Sequence, residues 1–90
     1  MLTFTLPSQL AALAEGKRTI TVDASSLGEA FAKLDSVAPM LRSQLFDAAG
    51  SIRQFVGLFV DNRQVLALGD GSQPVGDGSN IVIVQAVAGG

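Results

Sequence analysis

The 90-residue chain has no cysteine, histidine, tryptophan or tyrosine. Without cysteine there can be no disulfide, no thiolate metal site and no cysteine nucleophile. Without histidine the chain lacks the commonest general base and the commonest metal ligand. An enzyme in its own right is therefore the least favoured class, and neither catalytic nor metal-ligating residues are expected. Basic residues are also sparse: six Lys and Arg stand against eight Asp and Glu, for a net charge of −2. Only Lys17 and Arg18 are adjacent, which is no electrostatic footprint for nucleic acid. No apolar run approaches the roughly 20 residues of a membrane-spanning helix. The opening Met1-Leu2-Thr3-Phe4-Thr5-Leu6 has no basic segment ahead of an apolar one, so it does not read as a secretory signal. A cytoplasmic location is the expectation.

What is present is apolar residue in good supply, 48% of the chain. That is ample for one small domain, which at this size buries about 60–65% of its unfolded surface. Leu2, Phe4 and Leu6 alternate with Thr3 and Thr5, the period of a half-buried strand that Pro7 ends. Ser8 to Gly16 connects it, with a helical turn around Leu10 to Leu13, to a second alternating run, Arg18 to Asp23. Ile20 and Val22 face inward there, and the two strands read as an antiparallel hairpin. Ser25 or Ser26 caps a helix, and Ser26 with Glu29 has capping-box spacing. Leu27, Ala30, Phe31, Leu34 and Val37 or Ala38 give that helix one apolar face, and Pro39 stops it. A second helical turn is expected over Leu41 to Phe46, followed by a loop over Asp47 to Ser51.

Gln54 to Val60 reads as a strongly apolar strand, Asp61-Asn62 as a tight turn tolerant of positive φ, and Arg63 to Leu66 as a short return strand. Leu68 to Gly78 is loop, and Asn80 to Gln85 is the last strand. That last strand is apolar on both parities, as expected of a central strand pairing beside the first. The elements predict an α+β domain over residues 1–85: a mixed sheet of four to five strands with one main helix packed on one face, the β-grasp arrangement of ubiquitin.

The C-terminal end, residues 86–90, is expected to be a flexible tail. The last strand runs into Ala86-Val87-Ala88-Gly89-Gly90, small or apolar residues with no Cβ on the final two. Termini usually carry polar residues. A tail of this kind suits a narrow cleft in another protein, because glycine lets a partner's backbone approach closely.

The segments Ile52-Arg53-Gln54-Phe55-Val56-Gly57-Leu58-Phe59-Val60-Asp61-Asn62 and Asp77-Gly78-Ser79-Asn80-Ile81-Val82-Ile83-Val84-Gln85-Ala86-Val87-Ala88-Gly89-Gly90 resemble the MoaD/ThiS family of ubiquitin-like sulfur carrier proteins. The resemblance covers nearly the whole chain and lies nearest the CysO-like branch. Ser79 and Asn80 stand where relatives often carry acidic residues, and Gly57 where a larger polar residue is common.

The resemblance implies a carrier acted on by partner enzymes rather than an enzyme. A ubiquitin-activating-type adenylating enzyme, using ATP and Mg, would adenylate the carboxylate of Gly90. A sulfurtransferase or persulfide donor would convert it to a thiocarboxylate. A sulfur-accepting biosynthetic enzyme in a molybdopterin, thiamine, cysteine or thio-metabolite route would then receive the sulfur. A metalloprotease would be a further partner if the chain were made with residues beyond Gly90. Ala86, Val87, Ala88 and Gly89 would enter the partner's active site. No cofactor bound by the chain itself is implied. The same end chemistry would also suit a ubiquitin-like modifier joined through Gly90 to protein lysines, and a plain β-grasp interaction module needs no tail chemistry at all.

A partner must also recognise the folded part. With Val56, Leu58 and Val60 facing the helix, Phe55 and Phe59 fall on the other face. With Ile81 and Ile83 inward, Val82 and Val84 join them in an exposed apolar patch, the usual mark of an interaction site. The reverse parity, with Phe55 and Phe59 in the core, is the alternative, since both parities are apolar. Asp70 and Asp77 read as turn residues, with only a weak suggestion of a metal, and Lys17-Arg18 as a solvated strand end. Arg53 and Arg63 read as solvated residues flanking the central hairpin, the alternative being that they pair with acidic groups of a partner. Ser25 and Ser26 read as caps, because no base is present to activate them.

Overall fold

The structure, a computed structural model, describes residues 1–69 and 71–85. Among the described residues there are five strands: β1 Leu2–Thr5, β2 Thr19–Val22, β3 Val56–Val60, β4 Arg63–Gln64 and β5 Asn80–Gln85. They form one sheet in the order β2-β1-β5-β3-β4. β5 is central: it pairs parallel with β1 and antiparallel with β3. This explains why β5 is apolar on both parities, since it has no free edge to protect with charge.

Helix α2, Leu27–Val37, supplies the main cover of one face. Ser26 caps it, its hydroxyl accepting from the Glu29 amide at 3.2 Å, while the Glu29 carboxylate reaches back to the Ser25 amide at 2.8 Å. The box therefore closes on the residue before the cap. The next two free amides of the helix are satisfied from the 71–75 loop. Leu27 N–H donates to the Gln73 carbonyl and Gly28 N–H to the Gly71 carbonyl, both at 2.9 Å. The connection between β1 and β2 carries α1, Ser8–Ala11, and a 3₁₀ turn over Ala12–Ala14; α3 is the short helix Leu41–Leu45.

The core lies between the sheet and α2. Leu2, Phe4, Ile20, Val22, Leu58, Val60, Ile81 and Ile83 meet Leu27, Ala30, Phe31 and Leu34, all buried. Phe31 sits between two rings edge-on, 5.2 Å from Phe4 and 5.4 Å from Phe46. At the end of the helix Ala38 is buried and Val37 exposed.

Two boundaries differ from the sequence expectation. β3 begins at Val56 rather than Gln54, because Phe55 adopts φ +70°, a left-handed conformation that cannot extend a ladder. The return strand stops at Gln64 rather than Leu66, although the Val65 amide still bonds the Leu58 carbonyl at 2.8 Å. The Asp61-Asn62 turn has φ +49° and +70°, the pair of positive values a two-residue hairpin of matching twist requires.

Candidate functional site

The residues of the expected reactive tail, Ala86, Val87, Ala88, Gly89 and Gly90, lie outside the described residues, as does Asp70. What the structure describes is the strand that leads to them and the surface around it. β5 runs through the centre of the sheet as far as Gln85, which stands opposite Val56 of β3. In the same register Gly57 faces Val84 and Phe59 faces Val82.

Burial settles the parity of both strands. Leu58, Val60, Ile81 and Ile83 are in the core, with Val56 partly buried. Val84 is 44% exposed and Phe55 49% exposed; Phe59 and Val82 are half-buried on the same outer face. Gly57 joins them sterically. A Cβ there would lie 2.7 Å from Val84 Cγ2 and 3.1 Å from the Phe59 ring, so both side chains lean over the bare backbone of Gly57. The outer face changes character across the sheet. Thr3 and Thr5 on β1 and Thr19 and Thr21 on β2 make one half polar. Val82, Val84 and Phe59 make the half along β5 and β3 apolar, and the exposed Phe55 comes just before β3. The apolar half is thus the one beside the strand that carries the chain terminus.

Phe55 adds a feature that its residue type did not signal. It is an aromatic residue in the left-handed region, a conformation that costs a non-glycine residue of order 1–3 kcal/mol and that tends to persist at functional positions.

The start of β5 is latched to the β3–β4 turn. The Asp61 carboxylate accepts from the Asn80 amide at 2.9 Å and from the Ser79 hydroxyl at 2.8 Å, while the Asp61 amide donates to the Asn80 carbonyl at 3.0 Å. The amide bond first, and the hydroxyl second, hold the Asp61 carboxyl below its ordinary value. Ser79 and Asn80 therefore serve the turn that orients β5.

Asp77 is exposed and pairs with the amino group of Met1. Among the described residues no cluster of three or more acidic, histidine or cysteine side chains could hold a metal. No helix among them is long and apolar enough to cross a membrane. Arg53 differs from its expectation as a merely solvated residue: its Nε donates to the Ser43 carbonyl at 2.7 Å, tying the entry of β3 to α3.

The sheet order, the helix on one face and a C-terminal strand at the centre define a β-grasp, ubiquitin-like domain. No protein-family profile matches the chain. It is similar to the sulfur carrier protein CysO of Mycobacterium tuberculosis, 26% identical over 90 residues, with 98% of this chain and 97% of that protein covered. Among solved structures it resembles that of the Amycolatopsis orientalis BexX/CysO complex, with TM-score 0.82, 19% identity and 100% of both chains covered. It also resembles SAMP1 from Haloferax volcanii, with TM-score 0.79, 23% identity, and 99% and 98% of the two chains covered. The resemblance to ubiquitin-like sulfur carriers that the two sequence segments suggested is thus borne out by comparison over nearly the whole chain.

Proposed function

We propose that this chain is a sulfur carrier whose reactive group is the carboxylate of Gly90. An adenylating enzyme of the ubiquitin-activating type uses Mg-ATP to form the acyl adenylate and release pyrophosphate. A carboxylate is a poor electrophile, and AMP supplies the leaving group it lacks. The terminal sulfur of a persulfide donor displaces AMP. Thiol cleavage of the resulting S–S bond leaves a thiocarboxylate, which delivers sulfide to a biosynthetic enzyme. Ala86, Val87, Ala88 and Gly89 lie extended in the partner's channel, where backbone hydrogen bonds position the end. The chain itself contributes no acid, base or nucleophile, in keeping with its lack of histidine and cysteine. It works as a protein co-substrate, in the cytoplasm, with the adenylating enzyme, sulfur donor and acceptor as partners, and a trimming metalloprotease where a precursor extends past Gly90.

The observation that carries this reading is the end-to-end likeness to a protein named as a sulfur carrier, 98% of one chain against 97% of the other. The apolar half-face of Phe59, Val82 and Val84, with the exposed Phe55 at the entry to β3, supports it, because it lies on and beside the strand that leads to Gly90. Of the acceptor routes, cysteine biosynthesis fits the CysO likeness better than molybdopterin or thiamine formation.

A second reading is favoured by the fold likeness to a protein named small archaeal modifier protein 1, at TM-score 0.77. In it, Gly90 is activated in the same way but is passed to a protein lysine.

The test is the intact mass of the chain isolated from its own host under non-reducing conditions. A species heavier than the Gly90-terminated chain by the difference between sulfur and oxygen, and lost on hydrolysis, supports the carrier. Only the unmodified mass, persisting after incubation with ATP, a sulfur donor and the host's activating enzyme, rejects it. Adducts on lysines of other proteins would identify the modifier. Removal of Gly89 and Gly90 without functional loss would leave only a binding module.

A further inference from the structure

The structure holds a second surface feature, away from the outer sheet face and unrelated to the tail chemistry. Between α3 and the segment that leads into β3 lies an open depression of about 410 Å³, lined by Arg42, Ser43, Phe46, Asp47 and Arg53 among others. Two of the chain's six basic residues meet there, in a protein of net charge −2. Both guanidinium groups are held through Nε. Arg42 Nε donates to Asp35 Oδ2 at 2.6 Å, and Arg53 Nε donates to the Ser43 carbonyl at 2.7 Å. The Arg42 guanidinium also lies over the Phe46 ring, 5.6 Å from its centre. A guanidinium fixed at Nε keeps its terminal N–H groups in a defined fork, the geometry that matches a carboxylate.

Two acidic groups lie nearby and keep their charge, but each is bonded within the fold. Asp35 takes one edge of Arg42. Asp47 Oδ1 accepts from the Ala49 and Ser51 amides, both at 3.0 Å. Arg53 makes no ion pair among the described residues; its Nε partner is a neutral carbonyl.

We propose that this depression docks an Asp/Glu-rich segment of a protein partner, with Arg53 as the principal anchor and Arg42 as the second. The donors come from two different elements and line an open hollow beside an aromatic ring, which suits carboxylates carried along a chain rather than one compact anion. The position is also serviceable. Arg53 precedes Phe55 by two residues, and the adjoining Val56 stands opposite Gln85 at the end of β5. The proposal does not depend on which chemistry occurs at Gly90.

The test uses the full ¹⁵N-labelled chain titrated with an oligoglutamate peptide at low ionic strength, where charge contacts are least screened. The Nε–H signals of Arg42 and Arg53 and the amides of Ser43 and Phe46 should shift saturably, and an oligoglutamine peptide should shift none of them. Arg42→Ala combined with Arg53→Ala should weaken binding about tenfold or more, equivalent to about 1.4 kcal/mol. Arg53→Gln, which keeps a donor for Ser43 without the charge, should weaken it in a chain of unchanged amide dispersion. Lys17→Ala with Arg18→Ala should bind as the parent does. Equal shifts with inorganic phosphate would mean an anion site without a peptide partner. That result, shifts centred on Lys17 and Arg18, or undiminished binding by the arginine variants would overturn the proposal.

Discussion

Gly57 of β3 stands directly opposite Val84 of β5, and the Val84 side chain fills the place where a Cβ on Gly57 would be, with Cγ2 only 2.7 Å from that point. The relation shapes the outer face, because Phe59 leans into the same space. Gly57→Ala should therefore push Val84 and Phe59 apart. Alanine also suits a strand better than glycine by about 0.5–1 kcal/mol, so stability should change little while the apolar surface changes shape. Activation by the proposed adenylating partner should fall, and Val84→Ala added to Gly57→Ala should recover part of the loss. A double-mutant cycle on the activation rate checks this coupling; additive effects would show that the two residues do not form one surface.

Phe55 gives a prediction with opposite signs in two assays. Phe55→Gly removes the strain of the left-handed backbone, at φ +70°, along with a ring that is 49% exposed. Urea unfolding should show a stability within about 1 kcal/mol of the parent, or above it. Partner binding should weaken. Phe55→Val, β-branched at a positive φ, should lose stability as well. A large stability loss for the glycine variant would instead mean that the ring serves the core.

The Asp61 latch makes part of the fold's stability depend on pH. Its bonds from the Asn80 amide and the Ser79 hydroxyl hold the folded-state carboxyl below the ordinary value of 3.8. A depressed carboxyl stabilises the fold fully above the unfolded-state value, and the contribution disappears as pH falls through the lower folded value. Thermal melts of the parent should therefore drop more steeply below about pH 4 than those of Asp61→Asn. Asparagine tolerates the positive φ of this turn, so the variant keeps the hairpin while losing the titration. Parallel acid limbs in the two proteins would exclude the latch as a contributor.

Gly28 reverses a familiar rule. Glycine to alanine within a helix ordinarily stabilises by about 1 kcal/mol. Here a Cβ would lie 3.0 Å from both Cα and O of Gly71, against backbone that cannot rotate away. Gly28→Ala should therefore destabilise, and should loosen the loop whose carbonyls cover the helix start. Amide exchange at Leu27 and Gly28 would register that loosening directly.

Phe31 joins two other rings of the core. It is 2% exposed and edge-on to both Phe4 and Phe46. Phe31→Ala should cost about 3–5 kcal/mol, a large share of the stability of a domain this small. Chemical denaturation measures it.

Much of this protein was determined by local pattern. The alternation of Leu2 with Phe4 and of Ile20 with Val22, the three- and four-residue steps from Leu27 to Leu34, the Ser26–Glu29 cap and the Asp61-Asn62 turn each depend on near neighbours. Each was legible in sequence for that reason. The centrality of β5 could be read from its apolar residues on both faces.

Tertiary structure decided what depends on residues far apart. Both parities of β3 are apolar, so only the placement of α2 put Leu58 and Val60 in the core and left Phe55 and Phe59 outside. The left-handed backbone of Phe55 has no signature in its residue type. The close approach of Gly28 to Gly71 joins segments 43 positions apart, and the Arg42–Arg53 depression forms only because α3 folds back against the entry to β3. Patterns repeat along a chain, but a contact between distant segments exists only once the core has brought them together.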